Sequence, residues 1–259
     1  MSYKNILIGS NTFYSDWLIS LRKIKKENII VINFNEENIL KKIKEKNINY
    51  ILPLSSTDHE IVKNITISDD IPILYPNIET IGLLNNKISF TKFMLENFTE
   101  CLPEVYYLED KKLKELEFPV ISKPIYSTNG LGMKIYHSEN DFAQCKNKHI
   151  VQKFIDDEYK YSCYMLCING IIINWKVIRC KYKKYHIKTS NFSSDYENVE
   201  NFDMKLFENI VHKLNYTGGM CVDFKFNSDT NSTYIFEINP RFGGSAFTNN
   251  FIYELLCVK

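Results

Sequence analysis

The hydrophobic pattern of this chain changes character part-way along, and that change restricts the fold more than any other feature. Through the first hundred residues short apolar runs alternate with longer amphipathic ones. Residues 5–8, 29–34 and 50–53 read as strands, and residues 14–26 and 36–46 as helices. Alternation of this kind implies right-handed βαβ crossovers, hence a small parallel sheet covered by helices. Near Pro76 and Asn77 the pattern shifts. Residues 78–98 read as helical with a break around 84–87, and from Phe118 onward strands dominate. They are expected at 120–123, 133–136, 149–154, 161–167 and 171–179, followed by a helix over 204–214 and two long strands at 218–226 and 232–239. Antiparallel β with a few helices is the natural architecture for that half. The fold class read from the chain is an α/β N-terminal unit over residues 1–77, then an α+β unit over residues 78–259.

Composition excludes some functions. Lys plus Arg number 32 against 31 for Asp plus Glu, so no global basic field favours non-specific nucleic-acid binding. No segment approaches the uninterrupted apolar length of a membrane span, and the first residues lack a secretion signal, so a cytoplasmic protein is expected. The seven cysteines contain no Cys-x-x-Cys pair, and several sit in apolar runs such as Met220-Cys-Val222. They read as reduced thiols used as small hydrophobes. The five histidines are scattered without metal spacing. Abundant Lys, Asn and Ile carry no functional message.

Chemistry concentrates in Tyr234-Ile-Phe-Glu-Ile-Asn-Pro-Arg-Phe-Gly-Gly-Ser245. If this apolar run is a strand, Glu237, Asn239 and Arg241 alternate along it and point from one face. Carboxylate and amide oxygens suit Mg²⁺, and a guanidinium suits phosphate oxygens. An edge strand with a polar solvent face is the competing explanation; Pro240, Arg241 and the Gly243-Gly244 pair weigh against it.

Further candidates are weaker alone. Ile121-Ser-Lys-Pro124 brings Lys123 to a strand end, and Ser127, Thr128, Asn129, Gly130 and Gly132 supply a small-residue loop. Backbone N–H groups and an ammonium there make a flap over phosphates, although a β-hairpin with a glycine turn explains the segment equally well. Val151-Gln-Lys-Phe-Ile155 with Asp156-Asp-Glu158 offers an apolar slot and acidic acceptors for a nucleoside, or else an ordinary strand and a solvated acidic turn. Gly9-Ser10-Asn11 lacks the remaining glycines of a dinucleotide fingerprint. The run from Ser55 to Asp58 reads as a helix N-cap with an acidic first turn.

The order of these pieces is more telling than any one of them. Lys87 on a helix, Lys123 with a glycine loop, a Gln-Lys-Phe-Ile hinge, Asp223 in Val222-Asp-Phe, and Glu-Ile-Asn-Pro-Arg together resemble the ATP-grasp superfamily. The likeness is to carbamoyl-phosphate-synthetase-like and amino-acid-ligase-like carboxylate–amine ligases, from about residue 78 to the end. It implies two lobes with antiparallel sheets clamping ATP: a small lobe over about 118–155, and a large lobe over about 156–259 joined by the 78–117 helices. It implies that Lys87 and Lys123 contact phosphates, that Ser127 to Gly132 closes over them, and that Gln152, Lys153, Phe154 and Ile155 line the adenine slot. Asp223, Glu237 and Asn239 would hold Mg²⁺, with Mn²⁺ as an alternative ion, and Arg241 with Lys123 would act on the transferring phosphoryl group.

Two departures from that family stand out. The usual Gly-x-Glu-Tyr-Ser is here Asp156-Asp-Glu-Tyr-Lys-Tyr-Ser162, which leaves Asp157 and Glu158 as rivals for the ribose. The usual glutamate of the first metal position is Asp223. The chain stops soon after the terminal motif with room for one helix over about 246–258, so part of a substrate wall is expected to be either absent or supplied by a second subunit, with a homodimer as the default. Arg179, Lys188, Arg241, Gly243, Gly244 and Ser245 flank the presumed site as candidate contacts to a small-molecule carboxylate or its amine acceptor. The activity implied is an ADP-forming C–N ligase working through an acyl phosphate. A non-catalytic ATP-binding module and a kinase-like phosphotransferase are the alternatives.

Overall fold

The computed structural model describes residues 6–10, 29–33, 39–64, 71–107, 116–126, 130–143, 145, 149–181, 196–227, 230–243, 246 and 251–256. The helix expected at 14–26 lies outside them. Three sheets organise the molecule. The first is parallel, with β1 (Ile6–Ser10) between β2 (Ile29–Asn33) and β3 (Tyr50–Pro53). Helices α1 (Ile39–Glu45) and α2 (Ser56–Asn64) follow β2 and β3. Ser55 caps α2: its hydroxyl donates to Asp58 Oδ2 at 2.7 Å and accepts the Asp58 N–H at 3.2 Å. The Ser55 to Asp58 run is thereby accounted for as a helix start.

Helices α3 (Ile78–Asn85) and α4 (Lys87–Asn97) are separated at Asn86, whose side chain accepts from the N–H groups of Ile88 and Ser89 and so restarts the helix. A short strand, β4 (Val105–Tyr107), then joins β5 (Val120–Pro124), β6 (Lys134–Tyr136) and β7 (His149–Lys153) in a four-stranded antiparallel sheet ordered β4-β7-β5-β6. The one-turn helix α5 (Glu139–Phe142) links β6 to β7. The largest sheet is ordered β10-β9-β8-β11-β12, from β8 (Tyr159–Ile168), β9 (Ile171–Lys181), β10 (Tyr196–Val199), β11 (Gly218–Asn227) and β12 (Ser232–Asn239). Helix α6 (Lys205–Lys213) precedes β11, and α7 (Phe251–Leu256) is the last described element. A parallel sheet followed by two antiparallel ones is the architecture expected from the sequence. The short β4, β10 and α5 were not.

Asparagine has a structural message after all. Five asparagines among the described residues, at 47, 169, 201, 215 and 231, hold positive φ. This is the non-glycine side chain best suited to left-handed turns. Asn169-Gly170, with φ of 49° and 76°, closes the two-residue hairpin between β8 and β9.

The large sheet separates two cores. One face carries Tyr161, Cys163, Met165, Val177, Val222 and Ile238 against Phe90 and Met94 of α4 and Phe207, Ile210 and Val211 of α6. The i, i+3, i+4 spacing of the α6 residues gives that helix its buried stripe. The other face carries Tyr164, Leu166, Ile178 and Cys221 against Ile6 and Ile8 of β1, Leu52 of β3 and the buried side of α7. This second core crosses the boundary expected at residue 77, so the parallel sheet is bonded to the large sheet by shared apolar burial. Among the described residues no helix is long and apolar enough to cross a membrane.

Candidate active site

The geometry begins at the β11–β12 hairpin. Asp223 lies directly opposite Glu237, and Cys221 opposite Asn239. Directly opposed side chains share a face with Cβ atoms about 4.5–5.5 Å apart, so the two carboxylates and the Asn239 amide stand on one surface. The register shifts after Asp223, because Phe224 pairs with Ile235 and Phe236 has no counterpart. The extra residue is a bulge, a device that re-aims side chains. It lets Ile235 and Ile238 both enter the α6-side core while Glu237 faces the cleft. β12 is an edge strand, as the competing explanation required, yet Glu237 faces lysines and its side chain is only 33% exposed.

Two of those lysines come from different elements. Lys87, first residue of α4 and 6% exposed, places Nζ 3.3 Å from Glu237 Oε1. Its backbone N–H donates to the Ile125 carbonyl at 3.1 Å, which ties the helix start to the end of β5. Lys123 of β5 is 5% exposed, with Nζ 5.2 Å from the centre of the Phe236 ring. Burial depresses the Lys123 ammonium to about 8; nearby Glu237 opposes that fall and Lys87 adds to it. Asp223 has its own partners: Ser162 donates to Oδ1 at 2.6 Å and Lys160 Nζ lies 3.1 Å from the same oxygen. Each carboxylate therefore already holds an ammonium where a divalent cation would go. Two carboxylates and one amide oxygen fit an ion such as Mg²⁺, which takes one or two carboxylates and completes its shell with phosphate oxygens and water. Among the described residues no group of three or more His, Cys, Asp or Glu could hold a metal ion by itself.

Across the cleft, the register of the small sheet puts Ile121 beside Gln152 and Lys123 beside Ile150 on one face, opposite the face where Val120 and Val151 form a core. Gln152 is 3% exposed, and its Oε1 is buried without a hydrogen-bond partner among the described residues. Such an orphaned acceptor costs about 1–3 kcal/mol unless a ligand satisfies it. Phe154 and Ile155 follow as half-buried residues, and Lys225 Nζ sits 5.8 Å from the Phe154 ring centre while donating to the Asp157 carbonyl at 2.6 Å. Gly130 and Gly132 hold φ of 68° and 76°, and a Cβ on Gly132 would lie 2.8 Å from Pro124 Cγ, so Gly132 lies tight on the end of β5.

Other candidates are placed elsewhere. The Lys153 side chain belongs to the Val120 side of β7 and pairs with Glu117 at 2.6 Å, leaving only its backbone near the cleft. Arg179 shares the face of Tyr161, not that of Ser162. Its Nε and one terminal nitrogen each reach Glu197 Oε2 at 2.7 Å, and its guanidinium lies 4.6 Å from the Tyr159 ring centre. Strand periodicity, which alternates faces, thus carries Arg179 away from Asp223 and Glu237. Glu158 pairs with Lys181, and Asp157 accepts the Tyr159 N–H at 3.3 Å. β12 stops at Asn239, so the alternation argument does not extend to Arg241. That guanidinium instead donates to the Phe242 carbonyl at 3.1 Å, and its charge is felt by the Cys221 thiol. Phe242 folds back over Gly219, where a Cβ would meet its ring at 2.8 Å, and a Cβ on Gly243 would lie 3.3 Å from Cys221 Sγ. Ser127, Thr128, Asn129, Lys188, Gly244 and Ser245 lie outside the described residues, as does Asn11.

Lys160, Ser162, Lys225 and Phe236 were missed in the sequence. The alternation of Lys160 and Ser162 against the buried Tyr161 and Cys163 was a usable signal for the first pair. The bulge that aims Phe236 leaves no local trace.

The profile of the ATP-grasp domain matches residues 84–245, more than half of the chain. The chain belongs to the ATP-grasp family. Sequence relatives include the carbamoyl phosphate synthase large chain of Methanobrevibacter smithii, 21% identical over 237 residues. That alignment covers 79% of this chain and 22% of the relative. A formate-dependent phosphoribosylglycinamide formyltransferase of Prochlorococcus marinus is 25% identical over 150 residues, covering 51% and 38%. This ATP-grasp chain thus spans well under half the length of these two curated relatives. Among solved structures, Campylobacter jejuni biotin carboxylase superposes with a TM-score of 0.58 at 17% identity, covering 98% of this chain and 70% of that one. The D-alanine–D-alanine ligase of Bacillus anthracis complexed with ATP gives 0.55 at 18% identity, covering 100% and 96%. Both neighbours have the ATP-grasp fold seen here.

Proposed function

We propose that this chain is an ATP- and Mg²⁺-dependent carboxylate–amine ligase, and that residues 78–259 form its ATP-grasp unit behind a preceding α/β unit of residues 1–77. The observation that carries the reading is the in-register pair Asp223 and Glu237, faced by Lys87 and Lys123 from two other elements. Relatives named as a synthase, a formyltransferase and a D-alanine–D-alanine ligase support joining as the reaction class. In this reading Asp223, Glu237 and Asn239 hold the divalent ion, whose chemistry is charge neutralisation and alignment of the nucleotide's phosphates. Lys87 and Lys123 bind phosphate oxygens, and the loop from Ser127 to Gly132 excludes water. Buried Gln152 Oε1 accepts a hydrogen bond from the base, which lies against Phe154 and Ile155, while Asp157 or Glu158 meets the ribose. A substrate carboxylate oxygen then attacks the γ-phosphorus, and the bond to ADP breaks. An amine nitrogen attacks the resulting acyl phosphate carbon, phosphate leaves and the amine proton is lost to solvent. Arg241 stabilises the transferring group. The burial of Cys101, Cys163, Cys167, Cys180 and Cys221 as small apolar side chains supports a reducing compartment such as the cytoplasm.

The test is ADP production with a panel of acids and amines, with amide detection by mass spectrometry. Glu237→Gln keeps the shape and removes a metal ligand, so turnover is expected to fall by orders of magnitude with folding preserved. Full activity in that variant would refute the metal assignment.

A further inference from the structure

We propose that Lys160 is a ligand-contacting residue of this site: it occupies the Asp223 carboxylate when no ion is present and moves to the ion-borne phosphoryl group when a divalent cation takes that carboxylate. The inference rests on the functional reading above and adds a residue that reading does not use.

The placement comes from the register of β8. Ser162 is opposite Asp223, and Lys160, two residues earlier, shares its face, while Tyr161 and Cys163 turn into the core behind. Lys160 Nζ lies 3.1 Å from Asp223 Oδ1, with a side chain only 19% exposed. Its neighbour on β9 is the buried Cys180, and the ammonium of Lys225 is close enough for the two like charges to repel, which favours a position of Lys160 beside an anion. Ser162 holds the same oxygen at 2.6 Å, so the carboxylate keeps a positioning hydrogen bond whether or not the lysine stays. A divalent ion bound to Asp223 repels an ammonium in contact with it, since like charges a few ångströms apart in a half-buried cleft are strongly coupled. The phosphoryl oxygens that such an ion would carry are anionic and would attract the displaced ammonium. Lys87 and Lys123 face Glu237. Lys160 supplies the matching positive charge on the Asp223 side, so the two carboxylates are guarded from both flanks.

The test uses the intact chain, Mg²⁺ and two nucleotides, a non-hydrolysable ATP analogue and ADP, with binding followed by calorimetry. Lys160→Met removes the competing cation, so half-saturating Mg²⁺ for analogue binding should fall by about threefold or more. At saturating Mg²⁺ the preference for the analogue over ADP should fall about tenfold, the loss of one charge-assisted hydrogen bond. Lys160→Arg should retain that preference, and thermal melting of each variant separates these effects from misfolding. An unchanged preference, or a Mg²⁺ requirement that rises together with a lowered melting temperature, would leave Lys160 a structural residue and overturn the proposal. Wild-type protein that takes up no Mg²⁺-nucleotide at all would sink the functional reading and this inference together, a different result from failure of the variant alone.

Discussion

Replacing Lys123 by Met should make the ligand-free protein more stable while weakening its hold on nucleotide. The ammonium is buried, and its affinity for protons falls from the ordinary 10.5 to about 8, chiefly through lost hydration. At 1.36 kcal/mol per unit, that drop costs the folded state about 3 kcal/mol wherever the lysine is charged in both states. Removal of Lys123 does not orphan Glu237, which keeps Lys87 at 3.3 Å. Met fills a similar volume beside Phe236. The sign follows from proton counting. Between about 8 and 10.5 the unfolded chain binds more protons than the folded one, so wild-type stability rises with pH there. The penalty is complete below about 8 and gone above 10.5. Melting at pH 7 should place the variant about 6–12 °C above wild type, using about 2–4 °C per kcal/mol for a chain of this size. By pH 9.5 the advantage should shrink to less than half of that at pH 7. In calorimetry the variant should bind a non-hydrolysable ATP analogue about tenfold to a hundredfold more weakly, since a charge-assisted hydrogen bond is worth about 1.5–3 kcal/mol. A variant that melts below wild type at pH 7, or that binds the analogue equally well, would refute the argument.

Nucleotide affinity in the wild type should decline as pH rises through about 8, because bound polyphosphate favours the charged Lys123 and its ammonium is lost above that value; calorimetry across pH 7–9.5 measures it. Gly219→Ala should destabilise by about 1–3 kcal/mol in urea unfolding, since the new Cβ would lie 2.8 Å from the buried Phe242 ring. Arg179→Ala should leave kcat within about twofold, because the guanidinium serves Glu197 on the far face of β9; its stability cost should stay near 0.5 kcal/mol, as for other surface pairs. Gln152→Leu should raise the thermal stability of the ligand-free protein and lower nucleotide affinity, which a thermal-shift series with and without Mg²⁺·ATP would show.

Much of the fold was legible because its signals are local. β12 was expected at 232–239 and spans Ser232–Asn239, since an apolar run bounded by Asn231 and Pro240 has few other conformations available. The break between α3 and α4 was legible at Asn85 and Asn86 for the same reason, a capping side chain inside a helical pattern. Short β4, β10 and α5 escaped notice because three or four residues carry too little periodicity, and β4 owes its pairing to β7, which is distant in sequence.

The site divides along the same line. Sequence alone supplied the candidates Lys87, Lys123, Asp223, Glu237 and Asn239, and their order, which resembled the family the chain belongs to. Which of the suggested residues share a surface was decided only by strand register and by the Phe236 bulge. These turn Glu237 toward Lys87 and Lys123, bring Lys160 and Ser162 to Asp223, and send Arg179 to the opposite face. The physical reason is the two-residue period of a strand. A shift of one position reverses every side chain, and that shift is set by hydrogen bonds to partners far away in sequence.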